Sequence, residues 1–143
     1  MQTLSPFETR LLHIATVAIG VTGLAYGWMK YFVEPADEFS IIGHPWQPHM
    51  QHWHILLAPL LIFGCGLIWK SHIWFKINCG APARRVTGIA LTVLLLPMVI
   101  SGYALQVSNG ETMRSFWIWT HGSSSVLWLV LYLAHQLRPA SSE

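Results

Sequence analysis

Charged residues are scarce in this 143-residue chain: Asp, Glu, Lys and Arg together make up 10% of it, against about 25% in an ordinary soluble domain. The few charges are bunched into short intervals that separate long uncharged stretches. A globule with a charged, solvated surface is therefore not expected. A formal net charge of +2 is too small for a nucleic-acid-binding face. Cysteine is nearly absent as well. Cys65 lies in an apolar stretch and Cys79 in a basic one, which excludes a disulfide framework, and neither belongs to a Cys-x-x-Cys-His motif for covalent haem attachment. Nucleophile elbow, phosphate loop and zinc-protease motif are all missing, as are internal repeats and low-complexity tracts. No small-residue cleavage site follows the first apolar stretch, which continues into Tyr26, Trp28, Met29 and Lys30; it reads as a retained helix rather than a signal peptide.

What the chain has in quantity is apolar surface, at 53% hydrophobic residues. Four segments, about 7–32, 50–75, 86–107 and 113–137, each supply the roughly 20 apolar residues that a membrane span needs. In lipid the backbone must satisfy its own hydrogen bonds, so helices are expected. The expected fold is all-α: a four-helix transmembrane bundle forming a single domain. Cationic residues set its orientation. Lys70, Lys76, Arg84 and Arg85 cluster between the second and third segments, and Arg10 and Arg138 stand near the two ends. Glu34, Asp37 and Glu38 lie between the first and second. The positive-inside rule then puts both termini and the 70–85 loop in the cytoplasm, with Arg114 the one exception.

Tryptophans 28, 46, 53, 69, 74, 117 and 119 fall at or near expected helix ends, as in an interfacial aromatic belt. Gly20, Gly23 and Gly27 form a stripe on the first helix, and Gly64 and Gly66 sit in the second. Such residues allow close helix packing or clearance for a flat cofactor. Pro59 and Pro97 inside spans are ordinary for membrane helices.

Eight histidines in so apolar a chain are the informative feature. Ionisable groups in a bilayer are costly and point to function, and neutral imidazole is a natural ligand for haem iron. His121 and His135 are 14 residues apart, which places them within about 40° of one helix face and roughly 21 Å apart along the axis. A ligand partner is needed at each depth. The first helix rises from the cytoplasm, so His13 lies level with His135. The second descends from outside, so His52 or His54 lies level with His121. These two point to nearly opposite sides of their helix; His54, deeper and opening the run Ile55-Leu56-Leu57-Ala58, is preferred. His72, 18 residues after His54 and on the same face, rivals His13 at the inner surface. Thr120, Ser123, Ser124 and Ser125 are candidates to orient His121, and Arg10 and Arg138 to neutralise carboxylates at the inner surface.

In these features the chain resembles the prokaryotic cytochrome b561 superfamily, which includes the cytochrome b subunits of nickel-iron hydrogenases and formate dehydrogenases. Arg10-Leu-Leu-His13 followed by Thr22-Gly23, then Gly88-Ile-Ala-Leu91 with Ser101-Gly102-Tyr103, then His121 and His135, are similar to that family's ordered motifs across nearly the whole chain. Ile14 stands where the family usually has tryptophan. The resemblance implies two non-covalent b haems in a multi-pass protein of the bacterial inner membrane, one held by His13 and His135 and the other by His54 and His121. It also implies an electron-transfer component rather than a stand-alone enzyme, working between quinone or quinol and a redox protein partner or larger respiratory complex.

Two other classes compete with this reading. One is a haem-free membrane anchor or assembly subunit whose histidines merely pack. The other is a copper- or zinc-handling protein using His44, His49, Met50, His52 and His54, since imidazole and thioether suit copper.

Overall fold

The computed structural model describes residues 4–35, 37–79 and 82–137, with the backbone alone for Pro82 and Ala83. Among these residues there are five α-helices, one π-helical segment and no strand. The chain divides into two compact units, Met1–His72 and Ile73–Glu143.

The first unit is an antiparallel pair, α1 (Pro6–Tyr31) and α2 (Gln47–Leu67). Local chemistry sets the start of α1. Pro6 occupies its first turn, where a missing N–H costs nothing. Ser5 Oγ accepts from the Glu8 amide at 3.2 Å while Glu8 Oε2 accepts from the Ser5 amide at 2.7 Å, a reciprocal capping box. Phe32 closes the far end by donating its N–H to the Trp28 carbonyl. In the following loop Gly43 sits against the Val33 carbonyl, where no β-carbon fits. Pro48 in the first turn of α2 starts that helix at Gln47 rather than at the expected Met50.

At its other end the helix falls short of the expected span. It was expected to run unbroken to Phe75. Instead α2 stops at Leu67, and a π-helical segment, Trp69–Trp74, leads into the short α3 (Phe75–Cys79). The wider π turn appears where Trp69, His72, Trp74 and Lys70 crowd the end of the apolar run; single π turns often mark functional sites.

The second unit pairs α4 (Pro82–Val107) with α5 (Glu111–Leu137). Their tight connection ends at Gly110, whose φ of 95° lies in the left-handed region that glycine enters without strain. Buried Trp128 on α5 donates its indole N–H to the Leu91 carbonyl on α4 at 3.1 Å and stacks on Tyr132 at 5.4 Å.

Both pairs bury small or polar groups beside a few large ones, Leu61, Met98, Trp128 and Tyr132, and turn most of their large apolar side chains outward. Ala15 and Thr16 of α1, Gly64 of α2, Thr87 and Ser101 of α4, and Ser124 of α5 are buried. Ile14, Val17, Val21, Leu24 and Trp28 form an exposed ladder on α1, and Val86, Val93, Leu96, Ile100 and Val107 form one on α4. This is the reverse of a water-soluble bundle and is what lipid allows, because tails solvate leucine and small residues let backbones approach. Among the described residues α1, α2 and Arg84–Val107 are long and apolar enough to cross a membrane. The expectation of four spans is met in three. The 27-residue α5 matches them in length but is not among them, diluted by Ser123, Ser124, Ser125, two histidines and its polar first turn.

Candidate functional site

Each pair of helices positions imidazoles in the same way. On α2, His54 turns toward α1, where its Nδ1 lies 3.0 Å from the Ile19 carbonyl oxygen and 3.4 Å from Thr22 Oγ1. A carbonyl oxygen only accepts, so Nδ1 carries the proton and the acceptor lone pair belongs to Nε2. The ring lies against Gly23, where a β-carbon would stand 2.7 Å from Cε1. The cradle is thus a hydroxyl residue followed by glycine.

The second unit repeats the cradle on α4. His121 Nδ1 lies 3.0 Å from the Met98 carbonyl oxygen and 3.3 Å from Ser101 Oγ. A β-carbon on Gly102 would stand 3.0 Å from His121 Cε1. Fourteen residues earlier, Thr87 Oγ1 lies 2.9 Å from His135 Nδ1, with Gly88 beside the ring. Thr87 Oγ1 also donates to the Arg84 carbonyl at 3.1 Å. His121 and His135 are separated by the same 14 residues along α5, so both cradles meet their rings in one antiparallel register.

His54 and His121, each with Nδ1 against a carbonyl oxygen, are therefore held as Nδ1–H tautomers, the form in which imidazole ligates a metal through Nε2 while its other nitrogen is fixed; His135 meets a hydroxyl at Nδ1. His13 is half-buried on α1, on the stripe that continues through Thr16 to Gly23. Thr16 is itself 2% exposed, and its hydroxyl lacks a hydrogen-bond partner. His52 is exposed, on the side of α2 away from His54. His72 lies in the π-helical segment and is half-buried.

Thr120, Ser123 and Ser124 do not orient His121. Their hydroxyls donate to the Phe116, Trp119 and Thr120 carbonyls of their own helix, the usual recourse of such side chains inside a helix. The orienting groups come from α4 instead. The legible signal was the dipeptide itself: Thr22-Gly23, Thr87-Gly88 and Ser101-Gly102. Arg10 is exposed, and Arg138 lies outside the described residues. Arg84, which sequence reasoning placed only in the basic loop, extends Nη2 to 3.5 Å from the Gln136 carbonyl, beside His135. Of the glycines read as clearance, Gly23 clears an imidazole, Gly64 clears Leu12, and Gly27 and Gly66 have no neighbour within 4 Å.

The 44–54 cluster behaves differently. His44 Nδ1 accepts the Trp46 amide at 3.1 Å, and the His49 ring meets Trp46 edge-on at 5.8 Å. Among the described residues no three His, Cys, Asp or Glu side chains converge as a metal-holding group. Comparison with protein-family models, curated proteins and solved structures returned no match.

Proposed function

We propose that the chain is a four-helix membrane cytochrome with two b haems, similar to the prokaryotic cytochrome b561 superfamily, carrying electrons between the quinone pool and a redox partner. The observation supporting it is that three histidines on two separate helical hairpins have Nδ1 engaged, His54 and His121 by a carbonyl oxygen that leaves the lone pair on Nε2, and His135 by the Thr87 hydroxyl. Packing alone has no need of the same hydroxyl–glycine cradle repeated three times. A donor set of neutral, oriented imidazoles fits haem iron; carboxylate and thiolate ligands play no part in it.

In this reading, as the resemblance implies, His13 and His135 would serve the inner haem, and His54 and His121 the outer. Held by such imidazoles, haem would supply a one-electron couple suited to electron transfer. The chain's own residues do the rest. Nε2 of each histidine would hold the iron, while at His54, His121 and His135 the carbonyl or hydroxyl at Nδ1 holds the ring and glycine gives it its seat. Apolar helix faces keep water out, which raises the weight of every nearby dipole. Arg84, beside His135, is placed to neutralise a propionate. The basic 70–85 segment and both termini lie in the cytoplasm of a bacterial inner membrane.

The test is haem counting. Purified wild-type protein should show a reducible b-type spectrum and two haems per chain, and His13→Ala and His54→Ala should each show one. A colourless wild-type protein would overturn the reading in favour of a haem-free membrane anchor.

A further inference from the structure

We propose that the loop joining α1 to α2 dips into the bilayer surface, seating Phe39 and Ile41 at the boundary between lipid headgroups and acyl chains. Both side chains are 95% exposed, in a stretch, 39–46, that holds no Asp, Glu, Lys or Arg. This placement depends on the membrane setting of the long apolar helices and not on haem.

The end of α1 marks the headgroup level by its own contacts. Lys30 Nζ donates to the Tyr26 hydroxyl at 3.3 Å and lies 5.5 Å from the centroids of both the Tyr26 and Tyr31 rings. Trp28 is exposed on the same turns. A cation folded over tyrosines beside a tryptophan is the pattern of a membrane–water interface. The loop leaves this level and comes back to it. A β-carbon built on Gly43 would stand 2.7 Å from the Met29 carbonyl oxygen and against that of Val33. Ile41 is two residues from Gly43, at most about 7 Å of extended chain, so it returns to the same depth.

Backbone that enters an apolar layer must bring its hydrogen bonds with it, and the returning arm does. Asp37 Oδ1 accepts the Phe39 amide at 2.9 Å, and the Asp37 carbonyl accepts the Ser40 amide at 3.2 Å. Ser40 Oγ accepts the Ile42 amide at 3.3 Å and donates to the Ile42 carbonyl at 3.0 Å. Gln47 Oε1 accepts the Gly43 amide at 3.2 Å. The turn at Asp37 also divides the loop by charge: Glu34, Asp37 and Glu38 are exposed before Phe39, and only neutral residues and His44 follow as far as Trp46. A partner met in water requires neither the depth nor the locally paired backbone. A lipid surface requires both.

The test uses the full chain with Cys79→Ser and buried Cys65 retained, carrying Phe39→Cys, Ile41→Cys or Asp37→Cys. Each is labelled with an environment-sensitive fluorophore and reconstituted into phosphatidylethanolamine–phosphatidylglycerol liposomes. A nitroxide high on the lipid acyl chain should quench the Phe39→Cys and Ile41→Cys labels and spare that of Asp37→Cys, and aqueous iodide should do the reverse. Without label, the first two thiols should react with a water-soluble maleimide about tenfold more slowly than the third, because apolar surroundings disfavour the thiolate. The fluorophore is itself apolar, so a second pair of variants works without it. Phe39→Asp should raise the maleimide rate of Ile41→Cys to that of Asp37→Cys, and Phe39→Leu should leave it slow. Iodide quenching equal at all three positions would overturn the proposal. So would labels shielded from both quenchers, which would mark a second copy or another protein as the cover, or one maleimide rate in the Phe39→Asp and Phe39→Leu variants. A colourless protein would sink the cytochrome reading and leave this result standing.

Discussion

The His54 imidazole lies so close over Gly23 that a β-carbon there would stand 2.7 Å from Cε1, nearer than real β-carbons come to any neighbour. The ring has little freedom to retreat, because its Nδ1 is held by the Ile19 carbonyl. Gly23→Ala should therefore displace His54 and cost one haem per chain. The same substitution should be milder at Gly102, where the contact is 3.0 Å, milder still at Gly88, where it is 3.5 Å, and silent at Gly27, which has no neighbour within 4 Å. Haem stoichiometry across the four variants checks the order.

His52 and His54 are two residues apart and face opposite ways, one exposed and one packed against α1. His54→Ala should lose one haem and His52→Ala none. Likewise His44→Ala and His49→Ala should leave the metal content unchanged. Loss of copper or zinc from the last two would revive the metal-handling alternative.

The two cysteines report orientation. Cys79 is exposed and Cys65 buried. A membrane-impermeant maleimide should label Cys79 in inverted vesicles but not in intact spheroplasts, and Cys65 in neither until the protein is denatured. Labelling of Cys79 from outside would reverse the topology.

Trp128→Phe removes the indole donor to the Leu91 carbonyl and keeps most of the ring stacked on Tyr132. Interhelical hydrogen bonds in membranes average about 0.6 kcal/mol, with a maximum near 1.7, so destabilisation of about 1 kcal/mol is expected. Thermal unfolding in detergent, with Trp119→Phe on the exposed face as control, measures it.

Ser5→Ala breaks the capping box at the start of α1, at a cost of about 1 kcal/mol. That cost should be confined to the first turn, visible as faster amide exchange at Glu8 and Thr9 with the His54 cradle unaffected.

The sequence made long helices legible because lipid imposes a length and a composition on them together. It made the boundaries of the second helix less so: Pro48 moved one end, and the aromatic-rich 69–74 stretch widened into a π turn that hydropathy does not register. The histidines stood out by cost, and the 14-residue interval between His121 and His135 was readable as one face. Their partners at Nδ1 were sought among sequence neighbours, Ser123 to Ser125, whereas an imidazole reaches across to the adjacent helix. The matching interval from Thr87 to Ser101 carried that information. It gains meaning only when α4 and α5 run antiparallel in contact, a tertiary fact with no local signature.

The burial of Ala15, Thr16, Gly64 and Ser101, with bulky side chains facing out, has a consequence for how this chain tolerates change. In most proteins trimming an interior side chain is the damaging direction, since it leaves a void. Where Ala15, Thr16, Gly64 and Ser101 line the seam there is little to trim and an added methyl group does the harm, whereas buried Leu61, Trp128 and Tyr132 stay sensitive to shortening and the broad outer faces accept it at small cost. Sequence drift within such a chain would wander freely over bulk on its periphery and be checked wherever a methyl group has no space to occupy.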